Sequence, residues 1–169
     1  MSLIPIRLPP MELHIHADRR LAFQVITAFG ASVQESGASS RVLSREGGRL
    51  LVEFHTPGHD LLGRKRLYRT VERVVPHEPE QVEFEAIEGP LSLMRDRFVL
   101  EDEDGCTCLK YESEFGVKGW VAGWLLGMLY VRPMLRRLMR EHLAEMKEVI
   151  EARAAKSRVL PLMYKSWER

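Results

Sequence analysis

The sequence predicts an α+β fold in which a curved antiparallel β-sheet of about seven strands wraps around a long C-terminal α-helix. Short segments between residues 41 and 115 alternate apolar and polar side chains and are separated by Gly, Pro and Asp turns, as in an antiparallel meander. The last third changes to the helical period. Because an antiparallel sheet with one buried face needs a cover, we expect this helix to supply it.

Composition and charge limit the classes of function. The chain has 169 residues, of which 45% are hydrophobic, and its 25 Lys and Arg against 24 Asp and Glu give a net charge of +1. These values predict one folded soluble domain and argue against intrinsic disorder and against nucleic acid as a partner. The longest apolar stretch, Trp120 to Val131, falls short of the roughly 20 residues that a transmembrane helix needs.

Cysteine usage and the chain termini give the expected compartment and domain limits. Cys106 and Cys108 stand two residues apart, a poor spacing for a disulfide, so we expect reduced thiols. Reduced thiols and the lack of a recognisable signal peptide favour a cytoplasmic location. We divide the chain into an N-terminal extension (1–9), one domain (10–156) and a C-terminal tail (157–169).

The elements follow in order along the chain. Met11 to His16 alternates as a strand, and Asp18 is a good N-cap for a helix that ends at Gly30. Six further strands are bounded by turn residues such as Gly47-Gly48 and Asp104-Gly105. We place these strands at Arg41–Arg45, Arg49–Thr56, Lys65–Val75, Gln81–Glu88, Leu91–Glu101 and Cys106–Phe115.

The C-terminal helix is amphipathic, with an apolar stripe running from Val121 to Ile150. Pro133 lacks an amide proton and crowds the preceding turn, so we expect a kink or a restart there. A curved sheet that holds one helix need not close tightly around it. The gap between the two is therefore the predicted ligand cavity.

Three segments carry a resemblance to a known family. They are Glu12–Asp18 with the helix that follows, the hairpin Phe98–Thr107, and the closing helix Arg132–Glu151. Together they resemble the helix-grip fold of the START-like (SRPBCC) superfamily, and within it the polyketide cyclase/dehydrase and lipid-transport group. The resemblance implies a carrier of hydrophobic ligands, an aromatic cyclase or a ubiquinone-binding protein, and it implies no cofactor.

From the apolar inner face we expect a binding site for a small hydrophobic, lipid-like or polyketide-like molecule. The residues expected to line it come from the inward positions of the strands and from the helical stripe. They are Phe54, Tyr68, Phe84, Met94, Phe98, Tyr111, Phe115, Trp124, Met128, Leu135, Met139 and His142.

An enzyme of the cyclase/dehydrase kind is the alternative hypothesis, and we favour the non-catalytic binder over it. Such a reaction needs proton transfer, and Asp96, His142 and Tyr111 are the candidate donors and acceptors on the inward face. Asp96 points inward only if its strand has no bulge, and for His142 we favour a core histidine that is satisfied by a backbone or side-chain partner.

Two further patterns are weighed against plainer interpretations. His14 and His16 have a spacing compatible with metal ligation, but they alternate with apolar residues as a solvated strand face does, so we predict no metal site. Gly119, Gly123 and Gly127 form a ridge of small residues within a segment of large apolar ones. That segment, Trp120 to Val131, is either core, a mobile gate over the cavity, a transient membrane contact or part of a protein-interaction module. The sequence does not set the oligomeric state.

Overall fold

The computed structural model describes residues 3–30, 37–60 and 63–165, with side chains as far as Ser157. It contains an antiparallel sheet of eight strands and three α-helices in these ranges. The strands are β1 (Ile6–Arg7), β2 (Met11–Ile15), β3 (Ser39–Glu46), β4 (Arg49–His59), β5 (Lys65–His77), β6 (Gln81–Glu88), β7 (Leu93–Glu103) and β8 (Cys106–Gly116). The helices are α1 (Arg19–Ile26), α2 (Trp120–Leu126) and α3 (Arg132–Lys165).

The sheet order is β1-β8-β7-β6-β5-β4-β3, and β2 also pairs with β8. Strands β3 to β8 form the predicted meander, so the α+β architecture of a curved sheet around a C-terminal helix is confirmed. Ile6 pairs with Phe115 and Met11 with Tyr111, so β1 and β2 lie one after the other along the same edge of β8. Pro9 and Pro10, which cannot donate hydrogen bonds to a ladder, stand between them.

Residues 3–9 of the segment that we assigned to an N-terminal extension contribute to the sheet and the core. Ile6 and Leu8 are 3% and 5% exposed, and the amide of Leu8 donates to the carbonyl of Ser113. At the other terminus α3 continues through Lys165, beyond the predicted tail boundary at residue 157. Residues 166–169 of that tail lie outside the described ranges.

The C-terminal helix runs without a break from α2 into α3 through a π-helical turn, Gly127–Val131. We expected a kink or restart at Pro133, and the irregularity lies just before it. In this wider turn the amide of Arg132 donates to the carbonyl of Gly127, five residues back. Within the described residues, no helix combines the length and the apolar content that crossing a membrane requires.

The sheet has two ends of different character. Strands β4, β6 and β8 finish at one end, which we call the upper end, and α2 begins there. The turns after β3, β5 and β7 form the lower end, where the amide of His16 donates to the carboxylate of Glu151 on α3. The fully buried core lies toward the lower end, and its members include Ile15, Val52, Val74, Val82, Leu100, Leu109 and, from α3, Ile150.

Candidate functional site

The inner face of the sheet is covered unevenly by the helices. Toward the lower end most of its side chains are fully buried, whereas toward the upper end those of β4 to β7 and some on the helix retain partial solvent access, and those of β8 do not. We call this half-buried part of the inner face, with the helix that faces it, the cleft. Its half-buried apolar side chains are Phe54, Tyr68, Phe84 and Met94 from the sheet and Trp124, Met128 and Met139 from the helix.

A row of aromatic rings crosses the inner face beneath the cleft. Phe29, just after α1, contacts Phe54 edge to face with ring centroids 5.8 Å apart, and Phe54 lies 6.3 Å from Phe84. Phe84 then contacts Phe98 at 5.5 Å, and Phe98 contacts Tyr111 at 5.0 Å. Such offset and tilted pairs are the geometries that aromatic rings prefer. The row is partly accessible at Phe29, Phe54 and Phe84 and is buried at Phe98 and Tyr111.

The row ends at a hydrogen-bonded group of polar side chains. The Tyr111 hydroxyl donates to Oδ1 of Asp96 at 2.9 Å, and Ser113 also hydrogen-bonds to Asp96. Two strands away, the Thr70 hydroxyl donates to Oε1 of Glu72 at 2.8 Å. Register places Asp96 opposite Phe84 and Ser113, so it shares the inner face, as predicted for a strand without a bulge at this position.

The two inner carboxyl groups have perturbed acidities. Burial raises the pKa of Asp96 to about 6, and burial together with the charge of Asp96 raises the pKa of Glu72 to about 7. On the outer face, by contrast, Glu53 receives a 2.6 Å hydrogen bond from Arg69, and that contact lowers its pKa. The inner groups are thus held by hydroxyl donors, and they can both hold and release a proton near neutral pH.

The structure brings together two of the three candidate catalytic residues. Asp96 and Tyr111 are joined, but no hydrogen bond among the described residues connects His142 to either of them. His142 is half-buried on α3, and burial lowers its pKa. An acid/base pair of Asp96 with His142 therefore has no support in the geometry.

The remaining expected lining residues divide into two groups. Phe98, Tyr111, Phe115 and Leu135 are buried in the core, with Phe115 fully inaccessible, so they support the cleft from beneath. The others are half-buried, and the hydroxyl of Tyr68 donates to the carbonyl of His59 at 3.0 Å.

Glu72, Thr70 and Ser113 are inner-face polar residues that the sequence analysis missed. The alternation along β5 could have revealed two of them. Side chains two residues apart share a face of a strand, so Thr70 and Glu72 lie on the same face as Tyr68 and Val74. Two surface depressions, of about 450 and 280 Å³, lie instead on the outer face and are lined mainly by charged side chains such as Arg73 and Arg95. Phe84 and Asp96 also line the smaller depression, and the larger one contains no aromatic residue.

Comparison with known proteins identifies the fold. Over 92% of this chain, the Zhui aromatase/cyclase from Streptomyces sp. R1128 is similar at a TM-score of 0.65, with 16% identity and 95% of its own chain covered. A START superfamily protein from Mycobacterium smegmatis is similar over 89% of this chain and 99% of its own, with a TM-score of 0.63 and 18% identity. A third structure, TTHA0849 from Thermus thermophilus, is similar over 90% and 99%, with a TM-score of 0.61 and 18% identity.

These similarities confirm the helix-grip resemblance at the level of fold. No protein-family model matches the chain, and no curated protein matches it in sequence.

The inner carboxyl groups predict a specific pH dependence of stability. Because both pKa values are raised in the folded protein, it retains protons that the unfolded chain loses above about pH 4. The free energy of unfolding should therefore fall as the pH rises from about 4 to 7, by roughly 3 kcal/mol for each group.

Urea unfolding at a series of pH values tests this expectation. Replacing both groups, by Glu72→Gln with Asp96→Asn, should remove this decline from the pH profile. Glu112→Gln, at an exposed position of β8, serves as the control and should leave the profile unchanged. Identical profiles for the double variant and the wild type would contradict the assignment.

Proposed function

We propose that this protein binds a small hydrophobic molecule in the cleft between the sheet and the C-terminal helix. The observation that carries the proposal is the set of half-buried aromatic and methionine side chains at the upper end, on the inner face and on the helix that faces it. Ligand sites are typically concave and mostly apolar, with a few polar groups that fix orientation. Asp96, held by the Tyr111 hydroxyl, supplies such a group at the end of the aromatic row, and Glu72 supplies another on β5.

The geometry favours one class of ligand. The aromatic row suits a flat or chain-like apolar body, and the inner carboxyl groups suit a hydroxyl or carbonyl at one end of it. A carboxyl group that is protonated can donate to a carbonyl, and an ionised one can accept from a hydroxyl. A polyketide-like or lipid-like molecule with one oxygenated end combines both features.

Filling the cleft tests this proposal. Ala86 lies half-buried on β6, opposite Glu72, so an Ala86→Trp side chain should occupy space that the ligand needs. We expect it to lower the affinity for the neutral fluorescent probe N-phenyl-1-naphthylamine by at least about tenfold, since several apolar contacts are lost.

Ala144→Trp makes the same substitution at an exposed position of α3 and should leave probe affinity unchanged. Native mass spectrometry of the gently purified protein should also detect a bound lipid-like or polyketide-like molecule. Equal probe binding by the two variants would rule out the cleft as the site.

Catalysis of the cyclase/dehydrase kind is the second candidate function, and the 2.9 Å contact between Tyr111 and Asp96 favours it. A carboxyl group with a pKa of about 6 beside a hydroxyl can take a proton from an activated carbon and return it to a leaving oxygen. Mass spectrometry of a bound ligand before and after incubation separates the two functions. A ligand mass lowered by one water molecule indicates catalysis, and an unchanged ligand mass indicates binding or transport alone.

We also propose that the upper end docks on an anionic lipid membrane while the ligand enters or leaves. Five large apolar side chains project from α2 and the π-helical turn, with Trp120 63% and Leu129 77% exposed. We call this set, Trp120, Val121, Leu125, Leu126 and Leu129, the apolar patch. It lies on the same helical segment as the cleft residues Trp124 and Met128.

Charge complementarity favours an anionic bilayer as the occupant of this patch. Residues 115–140 contain five basic residues and no acidic one. The hairpin after β4 adds exposed Arg64, Lys65 and Arg66, and the Tyr130 hydroxyl ties this hairpin to the helix by donating to the carbonyl of Asp60 at 3.3 Å. Acidic residues concentrate instead in the lower turns, as in Glu101 to Asp104. The near-neutral protein is therefore polarised, with its basic and apolar end at the cleft.

Vesicle flotation tests the docking proposal. The wild type should bind vesicles of phosphatidylcholine mixed with phosphatidylglycerol, and less so as salt rises. Leu125→Ser with Leu129→Ser should weaken binding by at least about tenfold. Arg64→Gln with Lys65→Gln should weaken it by about 25-fold, because each basic residue contributes about fivefold at an anionic surface.

Leu43→Ser removes an exposed leucine from β3 and is the control, with unchanged binding expected. Binding of all these variants like the wild type would contradict membrane docking. So would light scattering that shows a dimer which only the patch variants dissociate, because the patch would then be an interface between two copies.

A further inference from the structure

The sheet register brings two short motifs together on its outer face near the lower end. His14 and His16 come from β2 and the residue that follows it, and Cys106 and Cys108 come from β8. His14 is the register partner of Cys108, and Glu103 of β7 is the partner of Cys106. Because side chains two residues apart share a face, both motifs and Glu103 face the same way.

Three of these side chains converge. Nδ1 of His14 lies 3.0 Å from Oε2 of Glu103, and His14, Glu103 and Cys108 each offer a ligand atom within 4.8 Å of the other two. Ligand atoms of a tetrahedral zinc ion are about 3.3–3.7 Å apart, given bond lengths of roughly 2.0–2.3 Å. His14 and Glu103 are 65% and 46% exposed, so small side-chain rotations bring all three to that spacing.

We propose that His14, Glu103 and Cys108 form a binding site for one zinc ion, with a water molecule as the fourth ligand. An imidazole, a thiolate and a carboxylate are the three side-chain types that zinc accepts, whereas magnesium and calcium avoid sulfur and nitrogen. Cys108 binds as the thiolate, so one proton is released from its sulfur when zinc enters. This site is separate from the cleft, since it lies on the opposite face of the sheet.

The local electrostatics support a cation at this position. The carboxylates of Glu12 and Glu103 share this outer face with His14 and Cys108, and they create a negative potential that a divalent cation relieves. When zinc binds, its charge compensates that of the Cys108 thiolate.

The neighbouring pair supplies matched controls on the same face. Cys106 has its sulfur 3.7 Å from Nδ1 of His16, and neither belongs to the converging group. The chain therefore contains one histidine and one cysteine inside the proposed site and one of each beside it. Substitution of each type can be compared at two neighbouring positions on the same face of the sheet.

Competition with a chromophoric chelator for Zn²⁺, on reduced protein without an affinity tag, tests the proposal. We expect one zinc per chain and an affinity that rises with pH, because protons compete for the thiolate and the imidazole. Cys108→Ser, His14→Gln and Glu103→Gln should each weaken binding by at least about tenfold. Cys106→Ser and His16→Gln should bind as the wild type does.

Binding of Co²⁺ in place of Zn²⁺ adds an absorption measurement. Weak binding of the ion to surface carboxylates alone would not give the thiolate band. Co²⁺ in the wild type should show a thiolate charge-transfer band, which Cys108→Ser abolishes and Cys106→Ser preserves. Glu103 and His14 are exposed, so their variants remain informative even if the buried Cys108→Ser variant fails to fold. Equal loss of zinc with the control variants, or weak binding without the band, would overturn the proposal. None of these measurements involves a cleft ligand, so the result is independent of the proposed function.

Discussion

The fold depends on one constraint, which is that a single helix must cover the inner face of a wide antiparallel sheet. Seven strand positions at about 4.8 Å span roughly 29 Å, whereas a helix with its side chains is about 10 Å wide. One helix is therefore too narrow to cover the sheet. Toward the lower end, the curvature of the sheet and the short helix α1 complete the cover, and Phe23 and Ile26 of α1 are buried there. At the upper end the same constraint leaves aromatic and methionine side chains half-buried.

Because the helices cover the inner face incompletely, carboxyl groups can be accommodated on that face. Glu72 and Asp96 lie where a tightly packed core would not tolerate them, and hydroxyl donors rather than cations satisfy them. Outer-face carboxylates such as Glu85 pair instead with arginines, here Arg73 at 2.8 Å. Burial raises the pKa values of the inner carboxyl groups, whereas the hydrogen bond from Arg69 lowers the pKa of Glu53 on the outer face.

Much of the fold could be predicted because it follows from local periodicity. Strands β3 to β8 and the long helix arise from periods of two and 3.6 residues, and the inward positions of Asp96 and Tyr111 follow from the same alternation. The strand β1 escaped prediction because two residues bordered by prolines carry no period. The sequence also placed an irregularity at Pro133, but only the structure shows that a π-helical turn absorbs it.

The sites were less predictable because they depend on contacts between distant segments. His14 and Cys108 are 94 positions apart, and a shift of the β2–β8 register by one residue would separate them. Which inner-face residues stay open depends likewise on how far α3 extends over the sheet. Neither quantity is encoded in any short segment.

Methionine methyl groups report most directly on whether the upper end is an open, ligand-accessible cleft. Met94, Met128 and Met139 border the cleft, whereas Met11 lies on the edge strand β2. In a methyl NMR titration with a neutral apolar probe, the account predicts saturable shifts confined to the first three resonances and suppressed by Ala86→Trp. Unshifted cleft methyls, or equal shifts at Met11, would contradict it.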